Sequence, residues 1–210
     1  MKTVKKNIKS NQGFSLVELI IVIAILAILA GAIAISVIRY INKARKSNDI
    51  NAAEAIGKSF QNACIKDETM FDYLTEMTTD PELPEDERFR VLAYARAVSG
   101  HGNADDMDFH LTDRNSTSES GLDDTKIMEE YLGFLTDSLT PVKFKKAGKL
   151  DQWVICSDAA HNIHVYVGSG TSESDKYMDD DGKIGSRQYY ELWPEQNPEY
   201  ERFSIPSDVP

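Results

Sequence analysis

A chain of 210 residues has room for one ordinary domain with an appendage, or for two small domains. Its 23 Lys and Arg are outnumbered by 34 Asp and Glu, giving a net charge of −11. That balance argues against a protein built to grip phosphate backbones, since such domains are usually basic. The aliphatic residues are gathered in one block, Phe14 to Ile38, while the rest is polar and acidic. An ordinary cytosolic globule does not segregate them so; the pattern points to a membrane.

The opening segment carries Lys2, Lys5, Lys6 and Lys9 and no acid. From Leu19 to Ile38 no residue is charged, and a helix of that length spans about 30 Å, a full hydrocarbon thickness. A secretory signal peptide has a shorter apolar core and a small-residue cleavage site after it; neither is present here. A plain signal anchor is the simplest alternative. Against it stands Glu18, because an ionised side chain near the centre of a membrane helix costs about 2.5–3.5 kcal/mol and an anchor has no use for one.

Gly13–Phe14–Ser15–Leu16–Val17–Glu18, set between a lysine-rich leader and a long aliphatic run, resembles the prepilin signal of type IV pilins and pseudopilins. The likeness covers only the N-terminal fifth of the chain. It implies cleavage after Gly13 by a membrane aspartyl peptidase on the cytoplasmic side, followed by N-methylation of Phe14. Cutting before the apolar block leaves the helix on the mature protein as its assembly element. Glu18 is then expected to pair with the Phe14 amine of a neighbouring subunit, compensating its burial. Many pilins carry a proline midway along this helix; here none precedes Pro81, and Gly31 with Ser36 is the only weak point. Arg39, Lys43, Arg45 and Lys46 follow the span, so both flanks are basic and the positive-inside rule is nearly balanced. The cytoplasmic peptidase of the resemblance places the N-terminus inside.

Beyond Arg39 the pattern becomes amphipathic: Ile41, Ala44, Ala52, Ala55, Ile56, Phe60 and Ala63 recur at helical spacing. One helix is expected from about Phe14 to Lys66, with an alanine-rich stripe against a head. Pro81–Pro84 marks a break, and Phe89, Leu92, Ala93 and Ala97 predict a second helix ending near Gly100. Ser99–Asp123 reads as a surface loop, and Asp124–Leu135 as a short helix. Val142–Lys145, Trp153–Cys156 and Ile163–Val167 have strand character, predicting an antiparallel meander. The C-terminal Tyr189, Tyr190, Trp193, Tyr200 and Phe203 are expected to cover the sheet edge.

Cys64 and Cys156 are an even pair, which in an exported domain suggests a disulfide stapling helix to sheet; two buried free thiols are the alternative. Ser172–Gly182 concentrates hard oxygen donors. Asp175, Asp179 and Asp181 are candidate calcium ligands, although the spacing does not fit an EF-hand. A solvated hairpin turn at Asp181–Gly182 is the competing reading. His161 and His164 beside Cys156 suggest zinc at first sight, but strand alternation sends the two imidazoles apart. There is no glycine-rich phosphate loop and no recognisable nucleophile–base pair, so no enzyme is expected.

The expected architecture is α+β: a leader (1–13), an apolar transmembrane or assembly helix (14–38), its amphipathic continuation (39–68) and an extracellular head (69–210) with a small antiparallel sheet. By the resemblance the chain is a structural subunit of a type IV pilus-like filament. Its partners would be copies of itself and other pilins, the prepilin peptidase, the assembly platform and, before assembly, membrane lipid. No direct nucleic-acid contact is expected. A type II secretion or competence pseudopilin is the nearest alternative, and a membrane-anchored extracellular protein that never polymerises is the more distant one.

Overall fold

The computed structural model describes residues 14–78, 87–97, 107–112, 139–144, 150–170 and 175–203. The chain divides into two compact units, Met1–Ile41 and Asn42–Pro210. The described part of the first is the N-terminal portion of one helix, α1 (Leu16–Lys66). Every residue from Phe14 to Ile41 is exposed, and the helix runs unbroken through Gly31. With no proline along it, nothing removes an i→i−4 hydrogen bond.

In the second unit α1 buries Ala53, Ile56, Gly57, Phe60 and Ala63, the narrow small-residue stripe that the sequence pattern anticipates. The helix stops at Lys66, and Asp67 alone separates it from α2 (Glu68–Thr78). The Asp67 amide closes the last turn on Ala63 O at 2.9 Å. Its carboxylate accepts from the Thr69 and Met70 amides, an N-cap that starts a new helix at once. α2 lays Met70, Tyr73, Leu74 and Met77 into the core. Sequence reading passed over this helix.

The sheet is antiparallel, in the order β2–β1–β3–β4–β8: β1 (Glu87–Ala97), β2 (Met107–Leu111), β3 (Gln152–Ser157), β4 (Ile163–Gly168) and β8 (Tyr190–Trp193). β5 (Tyr177–Asp179) pairs with the first residues of β1. β6 (Lys183–Ile184) and β7 (Arg187–Gln188) form a separate ribbon, and α3 (Pro198–Arg202) ends the described chain.

Three expectations need correction. Residues 87–97 form a strand, not the second helix. β1 is buried on both faces, with Leu92, Ala93 and Ala95 in the helix-side core and Val91 and Tyr94 in the other. A bulge between Val91 and Ala93 shifts the alternation, and a two-sided strand with a phase shift imitates helical spacing. Second, Met107–Leu111 lies inside the expected loop but pairs with β1 as a strand. Third, residues 139–144 belong to no strand, although Val142 and Phe144 are buried. The helix expected at 124–135 falls outside the described residues.

β3 and β4 behave as their alternation requires. Trp153, Ile155, Ile163, Val165 and Val167 join α1 and α2 in the main core, while Val154, Cys156 and Tyr166 face the opposite side. There Met178, Ile184 and Tyr189, from the segment that carries β5–β7, close a second, smaller core. A helix on one face of an antiparallel sheet makes the protein α+β.

Candidate functional site

The N-terminus of α1 is the first element with functional chemistry. Ser15 precedes the helix, and its hydroxyl accepts from the Val17 amide at 3.3 Å. Glu18 reaches back, its Oε2 accepting from the Ser15 amide at 2.8 Å. Ser15-x-x-Glu18 is therefore a capping box, each side chain satisfying an amide that the first helical turn leaves without a partner. Glu18 Oε1 has no hydrogen bond among the described residues. Phe14 is 92 % exposed, and the aliphatic residues that follow it are exposed to a lesser extent. Gly13, the residue on the other side of the expected cleavage point, lies outside the described residues. By length and composition α1 can cross a membrane, and its most apolar stretch is buried against nothing.

The family model for the prokaryotic N-terminal methylation motif matches residues 8–34. This is the prepilin signal of type IV pilins and pseudopilins. No curated protein and no solved structure matches the chain. The methylation motif thus spans the capping box, the Gly13–Phe14 junction and most of the apolar run.

The head does not hold the disulfide expected between Cys64 and Cys156; both cysteines are free. Cys64 packs against the helix-side core and Cys156 lies in the cluster on the other face, so the strand layer separates the thiols. Burial pushes the Cys64 thiol up to about 12 and the Cys156 thiol well above its ordinary value. Both stay protonated at neutral pH, which makes them poor nucleophiles. The half-buried Cys64 edges an open groove whose walls include Ile65, Phe71, Leu74 and Ile163.

Among the described residues the three candidate calcium ligands do not converge on one point. Asp175 is taken by Arg187 at 2.6 Å, and Asp181 by the Lys183 ammonium at 3.1 Å. Asp179 accepts from the Lys183 amide at 2.7 Å. Each carboxylate is turned to a different protein donor, and no group of three or more His, Cys, Asp or Glu converges among the described residues. The Gly182 amide donates to Asp179 O at 3.0 Å, with Gly182 at a φ of 75°, so the segment is a tight turn that needs a left-handed residue.

His161 sits in the β3–β4 turn with a φ of 63°. His164, directly across the sheet from Cys156, bonds through Nδ1 to Glu191 Oε1 at 2.7 Å. Of the C-terminal aromatics, Tyr190 and Trp193 belong to the edge strand itself. Tyr200 is part of the main core, with Phe203 packed against it.

Sequence reading missed Asp49, which the amphipathic pattern counts among the polar spacers of the helix. It is 1 % exposed. Its carboxylate accepts from the Lys143 and Phe144 amides, each at 2.7 Å, and from the Tyr200 hydroxyl at 2.9 Å. One turn earlier, Lys46 donates to Phe203 O and stands 4.8 Å above the Phe144 ring. A hydrophilic pair on α1 thus ties down both the 139–144 segment and the C-terminal turn. The only sequence signal was an acid in register with the buried stripe at Ala53 and Ile56.

Proposed function

We propose that the chain is a structural subunit of a type IV pilus-like filament, cleaved between Gly13 and Phe14, methylated at Phe14 and polymerised through its N-terminal helix. The observation that carries this reading is the methylation motif at residues 8–34 lying on a helix whose apolar side chains are all exposed from Phe14 to Ile41. Such a surface is stable only in lipid or against other helices. The subunit would wait in the membrane with its N-terminus in the cytoplasm, then enter a filament outside it. A heterologous contact repeated from copy to copy builds an open helical polymer.

Glu18 suits the proposed docking role because one carboxylate oxygen is engaged by its own helix and the other is open. An incoming methylated amine at Phe14 would take that oxygen and neutralise the charge within apolar surroundings. The prepilin peptidase and the assembly platform are the other proposed partners, and the assembly machinery supplies the energy. Acidic surface charge makes the head a poor DNA ligand, which favours a pilus or secretion role over direct DNA capture. Intact mass measurement of filaments sheared from the cell surface tests the proposal. A chain starting at methylated Phe14, lighter by the leader and its four lysines, is the expected result. A Met1 start, or a cut beyond Ile38, would overturn it.

A further inference from the structure

We propose that His164 is a pH-sensitive clasp, joining the edge strand β8 to the β3–β4 turn through both ring nitrogens when its imidazole is protonated and holding β8 by a single neutral N–H when it is not. The inference concerns the head alone and does not depend on the proposed function.

The imidazole lies between carboxylates from two different elements. On one side Nδ1 meets Glu191 Oε1 of β8 at 2.7 Å. On the other, Nε2 stands 3.6 Å from Asp158 Oδ2 in the turn. His164 Nε2 is buried and makes no hydrogen bond. A neutral imidazole has a single N–H, and the short contact assigns it to Glu191. That leaves the bare Nε2 lone pair facing the Asp158 carboxylate, two electron-rich groups in a place with little water. A proton on Nε2 converts this repulsion into attraction and lets one ring bridge both acids.

Among the described residues, the other groups in contact with the ring are uncharged. Phe89 of β1 presents its ring at 4.9 Å, edge to face. From β3, the Cys156 thiol stays neutral because burial raises it. From β4 itself, the Tyr166 phenol is likewise raised by burial, with smaller contributions from Cys156, Glu191, Asp158 and Asp180. Burial pulls the His164 pKa down, but the Glu191 hydrogen bond and the charges of Glu191 and Asp158 outweigh it, and the net direction is up. Asp158 is already fixed by the turn, accepting from the Ala160 and Asn162 amides at 2.9 Å each and from the Asn162 side chain at 2.8 Å. Its carboxylate cannot swing away to avoid the lone pair.

With the folded pKa above the unfolded value near 6.5, the clasp is fully engaged below about pH 6.5 and is lost as the pH rises through the folded value. Loss of the proton replaces a charged donor to Glu191 by a neutral one and so weakens the hold on β8, which among the described strands pairs with β4 alone and carries Trp193 onto α1.

The test uses the full-length protein in detergent micelles. The His164 ring is titrated by NMR, and exchange of the β8 amides is followed from pH 5.5 to 8.5, corrected for intrinsic chemistry. A His164 midpoint above the ordinary histidine value is expected, with β8 opening rising through the same range. Each tenfold gain in proton affinity should reappear as about a tenfold rise in opening. Glu191→Gln should lower the midpoint, and His164→Gln should remove the pH dependence of opening. If His164→Gln does not fold, the wild-type and Glu191→Gln titrations decide the matter. A His164 midpoint at or below 6.5, or β8 opening that ignores the His164 titration, would overturn the clasp.

Discussion

The indole of Trp193 lies directly on the backbone of Gly57. A Cβ built at position 57 would stand 2.2 Å from Trp193 Cε3 and 2.4 Å from Cζ3, far inside any real contact distance. The edge strand of the sheet can reach the helix there only because residue 57 has no side chain.

Gly57→Ala therefore sets two effects against each other. Alanine gains about 1 kcal/mol in helix propensity over glycine, while overpacking of this kind typically costs about 1–3 kcal/mol. The indole is a rigid ring with only two torsions to yield, so overpacking should win. Chemical denaturation of the full-length protein in micelles should show a net loss of about 1–2 kcal/mol. A stabilised variant would mean that Trp193 moves aside freely.

Asp49 offers a sharper loss. Asp49→Ala would strand two backbone amides and a phenol in a buried site, where each unsatisfied group costs about 1–3 kcal/mol. Burial pushes the Asp49 pKa up while the Lys143 and Phe144 amides and the Tyr200 hydroxyl pull it down, and the net direction is up. A raised acid makes its best contribution below the ordinary carboxylate range and loses part of it as the pH rises through the folded value. Asp49→Ala should lower stability by roughly 3–5 kcal/mol, and Tyr200→Phe, which removes one donor, by about 1 kcal/mol. Equal effects from the two substitutions would show that the amides find other acceptors.

What could be read from sequence follows the strength of the local pattern. α1 was legible because its apolar run has no charge from Leu19 to Ile38 and no proline, and β3 and β4 because they are short runs rich in β-branched and aromatic residues set between turn residues. β1 was not, since Val91, Leu92, Ala93, Tyr94 and Ala95 are all buried and the bulge at Leu92 breaks the period of two. The N-cap at Asp67 was a local signal hidden by the expectation that the helix simply ended. Asp49 could not be read at all: its role depends on amides 94 and 95 positions away. The same holds for the cysteines, whose separation by a strand layer is a property of topology rather than spacing. At the N-terminus the methylation motif was legible from its residues in order, whereas the capping box of Ser15 and Glu18 in the same stretch came only from the structure.

For the cysteines, the expected outcome is two free thiols with unequal access. Under native conditions an alkylating reagent should modify half-buried Cys64 slowly and leave Cys156 untouched until the head unfolds. Reductant should not shift the melting temperature. A Cys64–Cys156 peptide in a non-reduced map of protein from its native surface would contradict the arrangement described.

The acidic turn should be indifferent to calcium. Melting curves in calcium and in chelator should coincide, because Asp175, Asp179 and Asp181 are already engaged by Arg187, the Lys183 amide and the Lys183 ammonium. Asp179→Ala should lower stability by about 1 kcal/mol through loss of the turn hydrogen bond, with or without the cation. A clear rise in melting temperature with calcium, abolished by that substitution, would restore a metal role.

Glu18 has two separable capacities, and substitutions can divide them. As the fourth residue of the capping box it needs only a side-chain oxygen, which glutamine also supplies; as a docking anion it needs charge. Glu18→Gln should therefore keep the helix start, while Glu18→Ala and Ser15→Ala should each weaken it by about 0.5–2 kcal/mol. If the charge is what receives the neighbouring Phe14 amine, Glu18→Gln and Glu18→Ala should both assemble poorly. Ser15→Ala, with its carboxylate intact, should still yield filaments. Expression and membrane insertion should survive in all three, since the Glu18 substitutions remove an acid from an apolar helix and so relieve a cost in lipid, while Ser15→Ala leaves the apolar run unchanged. Filament yield by shearing and quantitative blotting, set beside the membrane-bound pool, reads the difference. Filaments from Glu18→Gln at the wild-type level, with Ser15→Ala and Glu18→Ala deficient, would assign Glu18 to capping the helix rather than to docking.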